Sequence, residues 1–190
     1  MKITIVTKNP GKIKIYEYIF SQHNIEHEFI DNEFPEIQAE TSQEIAEHTA
    51  TLMCQKLKCP VIREDASFFI NALNFPGPYT HYMEKMIPAA NLLKMLANFS
   101  DRSGYFETAV AIAYPNEPVK TFILKYDIEI NDKETGNLVP QGAWDTVIKF
   151  KGETRTFGEY PIEERVPLWA KPYKEVAEYI LQKQFAFKKK

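Results

Sequence analysis

The sequence predicts an α/β protein, a mixed sheet flanked by helices with a second, β-rich lobe. Three observations carry that prediction. Short apolar runs alternate with stretches of helical spacing from the N-terminus to Asp65. Two long β-rich runs follow, Tyr105 to Tyr114 and Val119 to Ile130, separated by the hairpin-like Pro115-Asn116-Glu117-Pro118. Alternation followed by a long antiparallel pair gives a mixed sheet. With 190 residues, 44% of them hydrophobic, the chain suits one compact domain over 1–190, or one domain with a small lobe, and its core needs no staples.

Lys2 to Val6 reads as a short buried strand, with Ile3, Ile5 and Val6 apolar. A polar loop, Thr7-Lys8-Asn9-Pro10-Gly11-Lys12, follows at once. Helical spacing of Ile13, Tyr16, Ile19 and Phe20 then predicts a helix from Lys12 to Phe20. A strand–loop–helix order aims backbone N–H groups and a helix N-terminus at the loop, where anions are favoured. Lys12 adds a full positive charge, and Thr7 and Asn9 add hydrogen-bonding groups. The glycine spacing and Lys-Ser/Thr pair of a P-loop are absent. On this loop alone an anion site and a plain turn with a solvated lysine both stand, because turn chemistry accounts for Pro10-Gly11 without a ligand.

Glu26 to Ile30 is a second strand, and Phe34 to Glu40 an irregular acidic loop. Thr41 or Ser42 caps a helix through Ile45, Ala46, Ala50, Leu52, Met53 and Leu57, which Pro60 ends. Val61-Ile62 opens a strand that ends on Arg63-Glu64-Asp65. Ser67 to Leu73 is a further extended stretch, and Asn74 to Tyr79 a turn-rich loop. Helical spacing returns from Ala89 to Phe99. After the β-rich pair come a loop (Gly136 to Asp145), a strand (Thr146 to Phe150) and a last helix (Tyr173 to Gln182).

Composition narrows the function. A net charge of −3 supplies no basic field for nucleic acid, and Lys188-Lys189-Lys190 is too short to change that. No apolar run reaches the length of a membrane span, and the N-terminus enters a strand at once, so no membrane partner is expected. Cys54 and Cys59 fit free thiols in a reducing cytosol better than a disulfide, which makes the expected location cytoplasmic. None of His23, His27, His48 and His81 has ligand-like spacing for zinc.

Three carboxylates stand out: Glu36, Glu64 and Asp65. Adjacent acids on a regular strand point to opposite faces, so one could hold a metal while the other faces a water. Hard carboxylate oxygens suit Mg²⁺ or Mn²⁺, and Mg²⁺ takes one or two carboxylates together with substrate phosphates. A phosphate loop at one strand end and acids at another is the layout of metal-assisted phosphoryl or nucleotidyl transfer. Without context, ordinary surface acids remain the alternative.

The residues Thr7-x-Asn9-x-x-Lys12, Pro35-Glu36, Glu64-Asp65 and Asn71-Ala72-Leu73-x-x-Pro76-Gly77-Pro78-Tyr79 resemble the inosine triphosphate pyrophosphatase family, in the family's order and across the N-terminal half. The resemblance implies an elongated α/β fold with a mixed sheet, two lobes and a cleft between them. It implies Mg²⁺-dependent cleavage of a nucleoside triphosphate between its α- and β-phosphates, releasing a monophosphate and pyrophosphate. Asp65 would then activate water, Glu36, Glu64 and Asp65 would hold the metal, and Thr7, Asn9 and Lys12 would contact the triphosphate. Members are commonly homodimers.

The second half departs from the pattern. The family's aromatic–Gly–aromatic–Asp base-pocket segment falls on Gly142-Ala143-Trp144-Asp145, which assigns Trp144 and Asp145 to substrate but puts Gly142 where the stacking aromatic belongs. Base–aromatic stacking is worth about 1–3 kcal/mol, so its loss redirects or weakens base binding. The family's Ser-His-Arg triplet aligns with Pro167-Leu168-Trp169, and a family lysine with Thr49. Trp169 reads as core packing or as a replacement stacking platform. Arg155, Arg165 and Lys171 all remain open as substitutes for a phosphate or base contact. The expected function is a pyrophosphohydrolase of inosine-, xanthosine- or otherwise modified triphosphates. The alternative is a nucleotide-binding protein of the same fold with little catalysis.

Overall fold

The computed structural model describes residues 1–31, 37–136 and 144–188, so Glu36 and Gly142 lie outside the described residues. Among those described, seven strands form one mixed sheet in the order β2-β1-β3-β5-β6-β7, with β4 paired to β3. The strands are β1 (Ile3–Val6), β2 (His27–Ile30), β3 (Val61–Ile70), β4 (Phe75–Gly77), β5 (Ser103–Ala113), β6 (Lys120–Ile130) and β7 (Ile148–Phe150). The helices are α1 (Pro10–Gln22), α2 (Ser42–Leu57), α3 (Thr80–Met86), α4 (Ala89–Met95), α5 (Ile162–Leu168) and α6 (Lys171–Lys188). The predicted mixed α/β class is the observed one. By contacts the chain forms two compact units: Met1–Asp65 with Thr108–Leu124 and Val166–Lys190, and Ala66–Glu107 with Lys125–Arg165.

In the first unit β1 pairs in parallel with β2, from Ile3↔His27 to Val6↔Ile30, and with β3, through Thr4↔Val61 and Ile5↔Ile62. The period of two sorts β-strand side chains between two cores. Ile3, Ile5, Ile62, Val110 and Ile112 pack with Tyr16, Ile19 and Phe20 of α1 and with Tyr173, Val176 and Ile180 of α6. Val6, Val61, Ala109, Ala111 and Ala113 pack with Ala46, Ala50 and Met53 of α2 on the opposite face. The small alanines of β5 let α2 lie close, while the α1 face takes the larger β-branched residues.

The second unit is built around aromatic rings. Phe68 stacks on Phe106 at 4.7 Å and meets the edge of Trp144 at 5.9 Å, and Phe157 meets Phe150 at 4.8 Å. β4 pairs antiparallel with β3, from Phe68↔Gly77 to Ile70↔Phe75. The Thr80 hydroxyl donates to the Gly77 carbonyl at 2.6 Å and accepts the Phe68 N–H at 2.8 Å, which ties the start of α3 to that pair. Gly77 has a φ of +61°, a conformation that costs glycine little.

Several boundaries differ from expectation. The strand expected to end on Glu64-Asp65 continues unbroken to Ile70, because Ser67 and Phe68 keep the buried pattern going after two charged residues. The acids therefore sit mid-strand. α1 starts at Pro10, since Asn9 is its cap and proline is favoured at the first helical position. α3 was not foreseen: Thr80 is its buried residue and Tyr82 is 62% exposed, so it carries no apolar stripe to read. α5 was hidden by Pro167, which sits inside it. α4 stops at Met95, short of Phe99, and α6 begins two residues before Tyr173.

Candidate active site

The chain passes from β1 through α1 to β2 on one side of β1, then through α2 to β3 on its other side. α1 and α2 cover opposite faces of the sheet. That reversal makes the β1/β3 junction a topological switch point. Ligands of open α/β sheets bind there, outside the carboxyl ends of the strands. β1 stops at Val6 while β3 runs on, and the Arg63 guanidinium bridges the step by donating to the Val6 carbonyl at 3.1 Å.

The loop leaving β1 is held by its own side chains. The Thr7 hydroxyl accepts the Asn9 N–H at 3.2 Å. Asn9 Oδ1 accepts the N–H groups of Gly11 at 2.8 Å and Lys12 at 3.2 Å, capping α1. Lys12, in the first turn, reaches back to β3. Its Nζ donates to the Glu64 carbonyl at 3.3 Å and pairs with Glu64 Oε2 at 2.5 Å.

Strand parity decides what each acid faces. Ile62 belongs to the α1 core, so Glu64 shares that face and meets Lys12. Val61 belongs to the α2 core, so Asp65 shares that face and takes a hydrogen bond from Ser42, the first residue of α2. Glu64 is 4% exposed. Burial pushes the Asp65 carboxyl up from an ordinary 3.8 to about 6. The Lys12 charge opposes that rise, the Glu64 charge adds to it, and Ser42 opposes it.

A divalent metal fits this donor set. Asp65 Oδ2 is buried with no hydrogen-bond partner among the described residues, and Glu64 Oε2 has only the Lys12 ammonium opposite it. Orphaned carboxylate oxygens are hard donors of the kind Mg²⁺ takes beside substrate phosphates. Among the described residues no group of three or more His, Cys, Asp or Glu is gathered for a metal, and those residues bring two carboxylates there.

A second polar cluster lies in the Ala66–Glu107, Lys125–Arg165 unit. Arg165 of α5 donates from Nη2 to Asp145 Oδ2 at 2.8 Å. Both residues are 7% exposed. The guanidinium carbon lies 5.8 Å from the Phe157 ring centroid. Arg165 Nε and Nη1 are buried with no hydrogen-bond partner among the described residues. Trp144 is fully buried, and its indole N–H donates to the Ile87 carbonyl at 2.7 Å. The Trp144 backbone N–H donates to the Glu84 carboxylate. Burial lifts the Glu84 carboxyl to about 7, the Asp145 charge adds to that rise, and the Trp144 N–H opposes it.

A sequence model of the Ham1 family matches residues 3–168. The chain belongs to the Ham1 family. A dITP/XTP pyrophosphatase of Saccharolobus solfataricus is 36% identical over 166 residues, covering 87% of this chain and 85% of that protein. A dITP/XTP pyrophosphatase of Methanosarcina acetivorans is 34% identical over 161 residues, covering 83% and 84%. Among solved structures, the Staphylococcus aureus Ham1 protein superposes with a TM-score of 0.77 at 21% identity, covering 96% of this chain and all (100%) of that one. That likeness concerns the fold alone.

Within this Ham1 chain the structure brings Thr7, Asn9, Lys12, Glu64 and Asp65 to the switch point. Glu36 lies outside the described residues. Trp144 and Asp145 stand with Arg165 and Glu84. Sequence reasoning left Arg165 undistinguished from Arg155 and Lys171. Arg165 is buried on Asp145, whereas Arg155 is half-exposed and pairs with Glu164. Glu84 was missed entirely, because an acid on a short polar helix carries no signal of burial. Trp169 packs against the α1-side core. Thr49, where the family lysine aligns, is buried on α2.

Proposed function

We propose that this protein is a Mg²⁺-dependent nucleoside triphosphate pyrophosphohydrolase acting on inosine- or xanthosine-type nucleotides, as its dITP/XTP pyrophosphatase relatives suggest. The observation that carries the reading is Asp65. It is a half-buried acid whose carboxyl is raised to about 6, beside a lysine at the head of a helix and at a topological switch point. A general base works best with a pKa near the operating pH.

In this reading the triphosphate lies at the N-terminus of α1. Lys12 leaves Glu64 for the phosphates, and Thr7 and the amide nitrogen of Asn9 add hydrogen bonds. Glu64 and Asp65, with Glu36, hold the metal, which supplies neutralisation of phosphate charge and polarisation of the scissile bond. Asp65 takes the proton of the attacking water. The products are a nucleoside monophosphate and pyrophosphate. Asp145 and Arg165 take the base, and Trp144, fully buried and hydrogen-bonded to the Ile87 carbonyl, anchors the chain beside Asp145. Free Cys54 and Cys59 thiols accord with work in the cytoplasm, and family resemblance extends the reading to a homodimer, which sedimentation would check.

The test is pyrophosphate release with Mg²⁺ from inosine, xanthosine, standard and modified pyrimidine triphosphates. Fast release from the first two is expected. Release from another class alone would overturn the substrate assignment. Tight nucleotide binding without release from any of them would leave a nucleotide-binding protein.

A further inference from the structure

Tyr16 lies in the middle of α1 and is fully buried, yet its hydroxyl has no hydrogen-bond partner among the described residues. Its ring is well packed: it meets Tyr173 at 4.7 Å, Phe20 at 5.5 Å and Phe29 at 6.4 Å. A phenylalanine would make the same ring contacts without burying an unpaired donor. A buried donor of this kind costs stability and points to a partner in another state of the site.

The fold gives the direction of that partner. Tyr16 follows Lys12 by four residues, so the two lie on one face of α1, a turn apart. Side chains on a helix lean toward its N-terminus, which carries the phenol back toward the Lys12 end. Glu64 follows Ile62 by two residues on β3, so it points to the α1-side core that holds both Ile62 and Tyr16. The phenol feels the charges of Glu64 and Arg63, while burial keeps its proton in place well beyond the ordinary tyrosine range.

We propose that Tyr16 is a positioning residue for Glu64: its hydroxyl donates to the Glu64 carboxylate when Lys12 turns to the triphosphate, and so keeps that carboxylate ionised and aimed at the metal. This rests on the pyrophosphohydrolase reading for the metal and the phosphates. In the structure Lys12 Nζ occupies the carboxylate, 2.5 Å from Glu64 Oε2. Glu64 is 4% exposed, and a carboxylate left there without its cation is costly. The phenol offers a charge-assisted hydrogen bond from within the core in exchange. Hydrogen-bond partners of metal-ligating carboxylates fix their orientation, and losing one weakens metal affinity or activity about 10- to 100-fold.

The test is calorimetric binding of Mg²⁺ alone to Lys12→Ala, which stands in for the departure of the lysine, with and without Tyr16→Phe. Adding Tyr16→Phe is expected to raise the Mg²⁺ Kd about 10- to 100-fold. Repeated with Glu64→Gln also present, the same change is expected to leave the Kd unaltered, since the tyrosine acts through that carboxylate. A general weakening of the fold would act in both backgrounds and so cancels in the comparison. With Lys12 in place and a chelator present, Tyr16→Phe is expected to melt at or above the parent temperature, because the deleted hydroxyl has no partner there. In turnover it raises the Mg²⁺ concentration that half-saturates pyrophosphate release. An unchanged Kd on adding Tyr16→Phe to Lys12→Ala, or an equal loss in both backgrounds, would overturn the assignment and leave Tyr16 as core packing. Calorimetry needs no turnover. Absent pyrophosphate release would count against the enzyme reading, while the Mg²⁺ comparison still decides the role of Tyr16, and a protein that binds no Mg²⁺ would overturn both.

Discussion

Replacing Asp65 by asparagine is expected to stop turnover and stabilise the fold. The Asp65 carboxyl stands at about 6 against an ordinary 3.8, chiefly through burial. A displacement of this size is worth about 3 kcal/mol between the two protonation states. Partial exposure screens part of it, leaving about 1–3 kcal/mol. The sign follows from which state holds the proton. Between 3.8 and about 6 the folded chain keeps a proton that the unfolded chain releases, so stability falls as pH rises through that window. Below it the cost is absent, and above it the cost is complete. Asparagine has the same shape, cannot ionise and can still meet Ser42. The assay is thermal unfolding of both proteins with a chelator, at about pH 4 and about pH 8. At the higher pH Asp65→Asn is expected to melt about 2–12 °C above the parent, from 2–4 °C per kcal/mol for a chain of this size. At the lower pH the gap closes. Pyrophosphate release is expected to fall about 10²- to 10⁴-fold with the loss of a general base. An Asp65→Asn protein less stable than the parent at the higher pH would refute the burial argument. Undiminished release would remove Asp65 as the base.

Lys12→Ala is expected to raise KM for triphosphates. It also leaves Glu64 buried without its cation, a loss of about 1–3 kcal/mol in urea unfolding that adding Glu64→Gln recovers. An unchanged KM would take Lys12 out of the phosphate site. Gly104→Ala puts a Cβ 2.4 Å from the Phe69 carbonyl oxygen of the neighbouring strand. The forced shift is expected to cost about 1–3 kcal/mol, and an unaltered melting temperature would show that β5 gives way freely there.

Much of the first unit was legible because its signals are local. The strand–loop–helix order around Thr7 to Lys12, Thr41 or Ser42 as a cap and the apolar period in Ile13 to Phe20 depend on nearby residues only. The pairing of Lys12 with Glu64 joins residues 52 apart in sequence, and the motif order suggested it without fixing its geometry. Reading Glu64-Asp65 as a strand end failed because charge was taken as a boundary. In fact the strand outruns β1 and meets polar groups from both helices. The second cluster was the least legible. Arg165 owes its role to a buried partner twenty residues away, and the helix that presents it carries a proline that reads as a breaker. Glu84 lies on a helix with no amphipathic stripe. Its partner is the Trp144 backbone N–H, sixty residues on, which no pattern along α3 encodes.

The placement of Glu64 and Asp65 on opposite faces has a consequence for how this chain tolerates change in length. Each acid owes its partner to the parity of its position after Val61. One residue inserted or deleted between Ile62 and Glu64 would hand Asp65 to the Lys12 side and Glu64 to the Ser42 side, with both acids still present. Substitution elsewhere could not restore the exchange. The count of residues from Val61 to Asp65 is thus as binding on this protein as the identity of the acids themselves.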